Sequence, residues 1–153
     1  NPRIGKFDLK LFFESKIGLS FWIAIALAMA ASQHEQTGHI SSSMLLVLAF
    51  QIFYVADFYW FEEAMLSTWD INYENYGFML CHAFLAWMPF NFTLQQQYLL
   101  EHPSSLPAWA AAAILVMNFT GYVIFRDANL QKQRFRRDPT QNVWGKPPRV
   151  LKT

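Results

Sequence analysis

The sequence predicts an all-α protein, a polytopic transmembrane helical bundle with about four spans. Of the 153 residues, 54% are hydrophobic and only 15% are charged, so the chain is more apolar than a typical soluble domain. No lysine or arginine occurs between Lys16 and Arg126, although that interval contains seven carboxylates. A soluble helical bundle would need mixed charges on its middle helices. We therefore interpret the chain as a membrane protein.

The predicted spans lie, in chain order, near residues 11–31, 43–61, 76–92 and 106–125. The apolar run that begins at Ile17 is one turn short of the ~20 residues that cross a bilayer, and the apolar residues just upstream extend it. The second span includes Gln51 and Asp57. The third contains Pro89, which is expected to kink or end its helix because proline lacks a backbone donor. The fourth is long enough by itself and has Pro107 near its first turn, where proline is tolerated.

The distribution of charge predicts the topology. All 12 lysines and arginines lie at residues 3–16 or 126–152, and an even number of spans places both ends of the chain on one side. The positive-inside rule then assigns both ends to the cytoplasm. The connection at residues 61–75 returns to that same side, and residues 126–153 form a cytoplasmic basic segment.

The stretch YVADFYWFEEAMLSTWDI, residues 54–71, places carboxylates among aromatic side chains with no basic residue nearby in the sequence. An ionisable group near membrane depth is costly, so a functional or paired role is the default expectation for Asp57 and for one of Glu62 and Glu63. If the helix continues through residue 70, Glu63 and Asp70 share a face. The alternative is that the glutamates are solvated at the membrane interface.

A second group of candidate residues lies in FRDANLQKQRFRRDP, residues 125–139. As a helix, this segment places Lys132 and Arg136 on one face, with Asn129 one turn earlier, and two such cations can bind one phosphate. Spacing alone favours the alternative, a juxtamembrane cluster that sets topology or attracts anionic lipid. That explanation requires no nucleic acid. The histidines lack paired-ligand spacing, so no metal is expected.

Several long motifs in this order resemble the sterol reductase family, which includes the sterol Delta-14, Delta-7 and Delta-24(28) reductases and the membrane domain of lamin B receptor. They include NPRIGKFDLKLFFE (1–14), the stretch at 54–71, WMPFNFTLQ (87–95) and IFRDANLQKQRFRRDP (124–139). The resemblance implies an integral membrane enzyme of about ten helices that reduces a carbon–carbon double bond of a sterol with NADPH. It also implies an internal fragment that lacks the family's C-terminal cofactor motifs and is inactive alone.

The resemblance implies roles for individual residues. Residues implied to bind the NADPH adenosine phosphate are Asn129, Gln131, Lys132 and Arg136. Residues implied to be catalytic are Tyr54, Asp57 and Glu63. Residues implied to line the substrate pocket are Glu62, Thr68 and Asp70. The implied chemistry is protonation of the alkene, giving a carbocation, followed by hydride transfer from the nicotinamide.

The motifs favour a Delta-14-sterol reductase, because TLQ and IFRDANLQKQRFRRDP resemble those enzymes most. The alternatives are a Delta-24(28)-sterol reductase, which TWDINYENYGFML resembles, and a Delta-7-sterol reductase, which VWGKPP resembles. A fourth alternative is a non-catalytic, reductase-like membrane scaffold, since Ala83 and Phe84 stand where many relatives carry Gly-Asp. The expected partners are a sterol and membrane lipid. The expected location is the endoplasmic reticulum membrane in a eukaryote or the inner membrane in a bacterium.

Overall fold

A computed structural model describes residues 2–140, 142 and 145–147. The chain divides into two compact units, Asn1–Leu106 and Pro107–Thr153. Most of the described residues lie in helices, and near the start of the chain a short antiparallel hairpin pairs β1 (Arg3–Ile4) with β2 (Phe7–Asp8). Gly5 occupies the turn of this hairpin with a φ of 62°, a conformation that glycine adopts without steric cost.

Most residues of the first unit lie in helices. Its α-helices are α1 (Leu9–Leu11), α2 (Leu19–Thr37), α3 (Ser42–Trp60), α4 (Glu62–Met65), α5 (Trp69–Tyr73), α6 (Phe78–His82) and α7 (Met88–Glu101). Two π-helical segments connect neighbouring helices: Phe12–Gly18 joins α1 to α2, and Ala83–Trp87 joins α6 to α7. The second unit contains α8, Ala108–Arg137. The chain is therefore continuously helical over 9–37, 78–101 and 108–137.

Three helices in the described part of the chain are long and apolar enough to cross a membrane: Leu9–Thr37, Ser42–Trp60 and Ala108–Arg137. They correspond to the first, second and fourth predicted spans, and the expected all-α membrane bundle is confirmed. The third predicted span, 76–92, overlaps the helical stretch 78–101, which is not among these three. That stretch runs nine residues further than predicted and includes three consecutive glutamines, 95–97, which lower its hydropathy.

Pro89 neither ends nor interrupts its helix, contrary to one of the expected outcomes. It is the second residue of α7, directly after the π-helical segment Ala83–Trp87. In that segment the Met88 amide donates to the Ala83 carbonyl, five residues back. Proline lacks an amide donor and its ring displaces the carbonyl four residues earlier. A π-helical turn changes the hydrogen-bond register just before the proline, and the chain stays helical through it.

The connection between α2 and α3 is set by local sequence. Helix α2 ends where Gly38 adopts a left-handed conformation with a φ of 77°, a common way for glycine to terminate a helix. Helix α3 begins at the cap residue Ser41, whose hydroxyl accepts a hydrogen bond from the Met44 amide at 3.3 Å. Serine at this position satisfies an amide that has no partner within the helix.

Small side chains and buried glutamines hold α2, α3 and α7 together. One core cluster consists of Ala26, Ala30, Met44 and Leu48, with Leu99 and Leu100 of α7 packed against it. Small residues allow helices to approach closely in a membrane.

Hydrogen bonds from the buried glutamines cross between these helices. Gln33 of α2 donates to the Leu99 carbonyl at 2.7 Å. Gln51 of α3 donates to the Phe92 carbonyl at 2.9 Å, and Gln96 donates to the side-chain oxygen of Gln51. Since unpaired polar groups are costly in a buried site, these bonds fix α7 against both α2 and α3.

Candidate functional site

Apart from Asp57 on α3, the carboxylates predicted near the site lie in residues 61–76, here called the acidic segment, which contains the short helices α4 and α5. Helix α3 ends at Trp60, so the condition under which Glu63 and Asp70 would share a face of one helix is not met. The helix is interrupted first at Phe61, which has a non-helical backbone conformation. A second interruption separates α4 from α5, where the Ser67 hydroxyl donates to the Ala64 carbonyl at 3.0 Å and the Thr68 hydroxyl donates to the Met65 carbonyl at 2.7 Å. Serine and threonine compete in this way with continued helix formation.

The predicted site residues of the first unit differ in exposure. Tyr54 and Asp57 lie one turn apart on α3, where Tyr54 is exposed and Asp57 is half-buried. In the acidic segment, Glu62 and Thr68 are half-buried, whereas Glu63 and Asp70 are exposed. The carboxylates of Glu63 and Asp70 are therefore exposed at the protein surface, and the carboxylate of Glu62 is partly covered.

Lys16, from the π-helical segment before α2, binds the start of the acidic segment. Its ammonium group lies 2.6 Å from the Glu62 carboxylate and 4.7 Å from the centre of the Tyr59 ring. The Tyr59 hydroxyl donates to the Ser15 carbonyl at 2.8 Å. These contacts join residues that are more than 40 positions apart, so Glu62 has a cation beside it that the local sequence does not show.

Lys10 binds the other end of the acidic segment. Its side chain is completely buried, and its ammonium group donates to the Asp70 carbonyl and, at 2.8 Å, to the Glu74 carbonyl. The ring of Phe13 stacks on Tyr76 with centroids 6.1 Å apart. The first two helical turns of the chain thus contact both ends of the acidic segment.

An open apolar groove of about 390 Å³ runs between α2 and α3. Ile23, Ala24 and Leu27 line it from α2, and Ile52, Val55 and Ala56 line it from α3. Its polar groups are the hydroxyls of Ser20 and Tyr59, which lie 3.0 Å apart. An apolar groove with few polar groups matches the general character of sites for small apolar ligands.

The predicted phosphate-binding residues lie near the end of α8, in the second unit. The segment is helical through Arg137, which confirms that Lys132 and Arg136 share one helical face. Both side chains are exposed, and neither has a hydrogen bond or ion pair with another residue in the described part of the chain. Two uncommitted cations one turn apart suit a phosphate group.

Asn129 and Gln131 are more constrained than the two cations. The Asn129 amide donates to the Phe125 carbonyl at 2.8 Å, and the Gln131 amide donates to the Asp127 carboxylate at 2.7 Å. Both bonds stay within α8. Each side chain keeps a carbonyl oxygen that can accept a hydrogen bond and one further N–H that can donate, so both positions retain an acceptor and a donor.

The residues that sequence reasoning missed are Lys10, Lys16 and Tyr59. A signal for the two lysines was present, because the predicted topology places the N-terminal lysines and the connection at 61–75 on the same side of the membrane. Lysines near the start of the chain are then the nearest cations available to those carboxylates. Among the described residues, no group of three or more metal-ligating side chains comes together.

Comparison with known proteins identifies relatives across the whole chain. The family model described as "Ergosterol biosynthesis ERG4/ERG24 family" matches residues 1–153. The chain is 53% identical over 153 residues to the Delta(14)-sterol reductase of Methylotuvimicrobium alcaliphilum and 42% identical over 158 aligned positions to the Delta(14)-sterol reductase of Dictyostelium discoideum. It is 43% identical over 153 residues to the 7-dehydrocholesterol reductase of Xenopus laevis.

These alignments cover nearly all of this chain but a smaller part of each relative. They cover 100%, 100% and 99% of this chain, and 36%, 34% and 32% of the three relatives respectively. The chain therefore spans about a third of the length of the curated relatives it matches.

Proposed function

The chain belongs to the ergosterol biosynthesis ERG4/ERG24 family, and from this we propose that the protein reduces the Delta-14 carbon–carbon double bond of a sterol. The observation that carries the proposal is the identity of 53% and 42%, over the whole chain, to two proteins named Delta(14)-sterol reductase. The 43% identity to a 7-dehydrocholesterol reductase makes Delta-7 reduction the second candidate. A Delta-24(28) preference remains the third.

We propose that NADPH is the reductant and that Lys132 and Arg136 hold its adenosine phosphate. Both cations are exposed on one face of α8. Arginine offers a planar fork of donors and lysine a compact charge, a combination suited to phosphate oxygens. The carbonyl oxygens of Asn129 and Gln131 would accept hydrogen bonds from neighbouring hydroxyls of the cofactor. When bound, NADPH supplies a hydride to the sterol.

In this proposal, some carboxylates of α3 and the acidic segment donate a proton, and others orient or line the substrate pocket. Asp57, half-buried on α3 one turn after Tyr54, is the candidate to hold the proton that the alkene receives, with Glu63 as the second acid of this catalytic group. Glu62 is bound by Lys16 at 2.6 Å, so it is better suited to orienting the pocket than to releasing a proton. Thr68 and Asp70 complete the proposed substrate pocket.

A sterol is largely apolar, so its natural solvent is the membrane. We propose that the pocket lies beside membrane lipid, from which the sterol would enter, and the candidate spans of this chain support this. The protein is an integral membrane protein, and we propose the endoplasmic reticulum membrane as its location in a eukaryote, or the inner membrane in a bacterium.

Expression in yeast that lacks its own sterol reductase tests the proposal. The protein is expressed at the full length of its gene, and cellular sterols are identified by mass spectrometry. We expect Delta-14-unsaturated sterols to disappear in a strain that lacks Delta-14 reduction. Loss of Delta-7 or Delta-24(28) unsaturation alone, in the matching strains, would assign the protein to that branch instead.

A non-catalytic scaffold is the alternative of a different class, and one position favours it. Phe84 lies in the π-helical segment before α7, and the family resemblance implies an acidic residue at this position. If no sterol changes in any of the three deficient strains although the protein accumulates in the membrane, the enzymatic proposal is wrong and the scaffold is favoured. Phe84→Asp is the informative variant here, because restored reduction would assign the loss to this one side chain.

A further inference from the structure

Lys10 is an unusual lysine because its side chain is completely buried. We propose that Lys10 is a positioning residue, which fixes α5 and thereby places Thr68 and Asp70 in the substrate pocket. The inference rests on the proposed function, since it concerns the geometry of that same pocket. The Lys10 ammonium group forms no hydrogen bond with a proposed catalytic side chain, so its proposed role is to hold the backbone in place.

Both hydrogen bonds that the Lys10 ammonium group makes to described residues go to the backbone of a distant segment. The ammonium group donates to the carbonyls of Asp70 and Glu74, which are 60 and 64 residues away in sequence. A buried ammonium group is costly unless its donors are satisfied. The two carbonyls therefore stabilise the buried lysine, and the lysine in turn holds the two carbonyls in place.

Lys10 supplies two of the bonds that join α5 to the N-terminal helical turns, and the Phe13–Tyr76 ring contact joins the residues just after α5 to the same turns. Helix α5 contains five residues, and none of its side chains is buried. A helix this short is unstable by itself. Ordering its first turn loses conformational entropy, and too few further hydrogen bonds form to compensate for that loss. Asn72 donates to the carbonyls of Leu66 and Thr68, but these bonds are local and do not join α5 to the rest of the bundle.

The two carbonyls that Lys10 binds lie at opposite ends of this helix. Asp70 is in its first turn, and Glu74 is its C-terminal cap residue. Fixing both points restrains the translation and rotation of α5 as a unit. Thr68 immediately precedes the helix, so its position follows from the same contact. Replacing Lys10 should therefore make α5 more mobile, and with it Thr68 and Asp70, although none of the proposed pocket side chains is changed.

The test compares Lys10→Met with Lys6→Met in the protein expressed at the full length of its gene and purified in detergent. Methionine keeps the length and apolar body of the lysine but has no donor. Lys6 is a matched control, because it lies in the same N-terminal stretch, is exposed and has no hydrogen bond or ion pair with the described residues. Amide hydrogen exchange over residues 69–76 is measured by mass spectrometry, together with kcat and KM for the sterol and for NADPH.

We expect exchange over residues 69–76 to accelerate at least about tenfold in Lys10→Met, as expected when a local structure loses its anchor, and to stay unchanged in Lys6→Met. We expect kcat per folded molecule to fall roughly 10- to 100-fold, the scale for a displacement of about 1 Å near a reaction centre. KM for NADPH should stay within about twofold, since the phosphate-binding residues lie elsewhere. Lys10→Arg, which retains charged donors, should recover part of kcat.

Two results would overturn the inference. Unchanged exchange over 69–76 means that Lys10 does not order α5. Faster exchange with an unchanged kcat means that α5 does not contribute to the pocket. If Lys10→Met does not accumulate, Lys10→Gln replaces it, because the amide keeps a neutral donor. A wild-type protein that reduces no sterol contradicts the proposed function, and exchange then decides alone whether Lys10 anchors α5.

Discussion

The ammonium group of Lys16 lies 2.6 Å from the carboxylate of Glu62, although the two residues are 46 positions apart in sequence. The bond connects the helical turn before α2 to the first turn of α4. It provides the cation that the stretch around Glu62 lacks in its own sequence. The ion pair explains how one carboxylate of this apolar region is stabilised, and it leads to the first prediction.

A double-mutant cycle with Lys16→Met and Glu62→Gln should give a coupling free energy of about 0.2–1 kcal/mol, the range for partly exposed ion pairs. The side chains are 44% and 31% exposed, so solvent weakens the interaction. In ~1 M salt the screening length falls to about 3 Å, and the coupling should decrease. Denaturant unfolding in detergent measures it. A coupling well above this range, insensitive to salt, would mean that the pair is fully desolvated.

Gly18→Ala should destabilise the first unit by about 1–3 kcal/mol through overpacking. A Cβ at Gly18 would lie 2.7 Å from the Met88 methyl group and 3.2 Å from the Phe84 carbonyl oxygen. Methionine can move aside, whereas a backbone carbonyl in a helix cannot move without shifting the helix. Met88→Ala should therefore rescue only part of the loss in unfolding free energy.

The control for this substitution is Gly121→Ala, where an added Cβ has no atom within 4 Å. Alanine is a better helix former than glycine by about 1 kcal/mol, so this variant should be neutral or slightly more stable. Equal behaviour of the two variants would show that the close approach at Gly18 does not constrain the protein.

Gln96→Leu should cost about 1–3 kcal/mol, because it leaves the buried side-chain oxygen of Gln51 without its donor. The double variant Gln51→Leu with Gln96→Leu should cost less than the sum of the two single changes, since both partners are then apolar. Gln97→Leu is the matched control on the same helix, where the side chain is exposed. If the loss of unfolding free energy in the double variant equals the sum of the losses in the two single variants, the two glutamines do not form a direct bond.

Lys132→Met and Arg136→Met should each raise KM for NADPH by roughly 10- to 100-fold, the equivalent of losing a charge-assisted hydrogen bond. KM for NADH should change little, because NADH lacks the adenosine phosphate. Both side chains are exposed, so stability should stay the same. Arg134→Met is the control, since residue 134 lies two positions from each and so on the opposite face of α8.

Steady-state kinetics with NADPH and with NADH measure the change in KM for each cofactor in each variant. Equal increases for NADPH and NADH would contradict the phosphate assignment. An equal effect of Arg134→Met would favour the juxtamembrane alternative, in which the basic cluster acts through its overall charge and not through a specific face.

The amino-acid sequence by itself determined the class of the fold. Apolar segments and the interval without basic residues between Lys16 and Arg126 predict membrane helices, because hydropathy and charge act along the chain and need no knowledge of contacts. The helical face shared by Lys132 and Arg136 was likewise predictable, since it depends only on helical periodicity. The motifs of the acidic segment and of α8 also carried the family resemblance.

Only the tertiary structure decided how the acidic segment is built and held. Periodicity allowed a helix through residue 70, but α3 ends at Trp60, and α4 and α5 are separated where Ser67 and Thr68 form hydroxyl-to-backbone bonds. The contacts of Lys10 and Lys16 join residues separated by 46 to 64 positions, and such pairing depends on how helices pack, which local sequence does not encode. The same holds for Gly18, whose need for a small residue arises from Met88 and Phe84 on another helix.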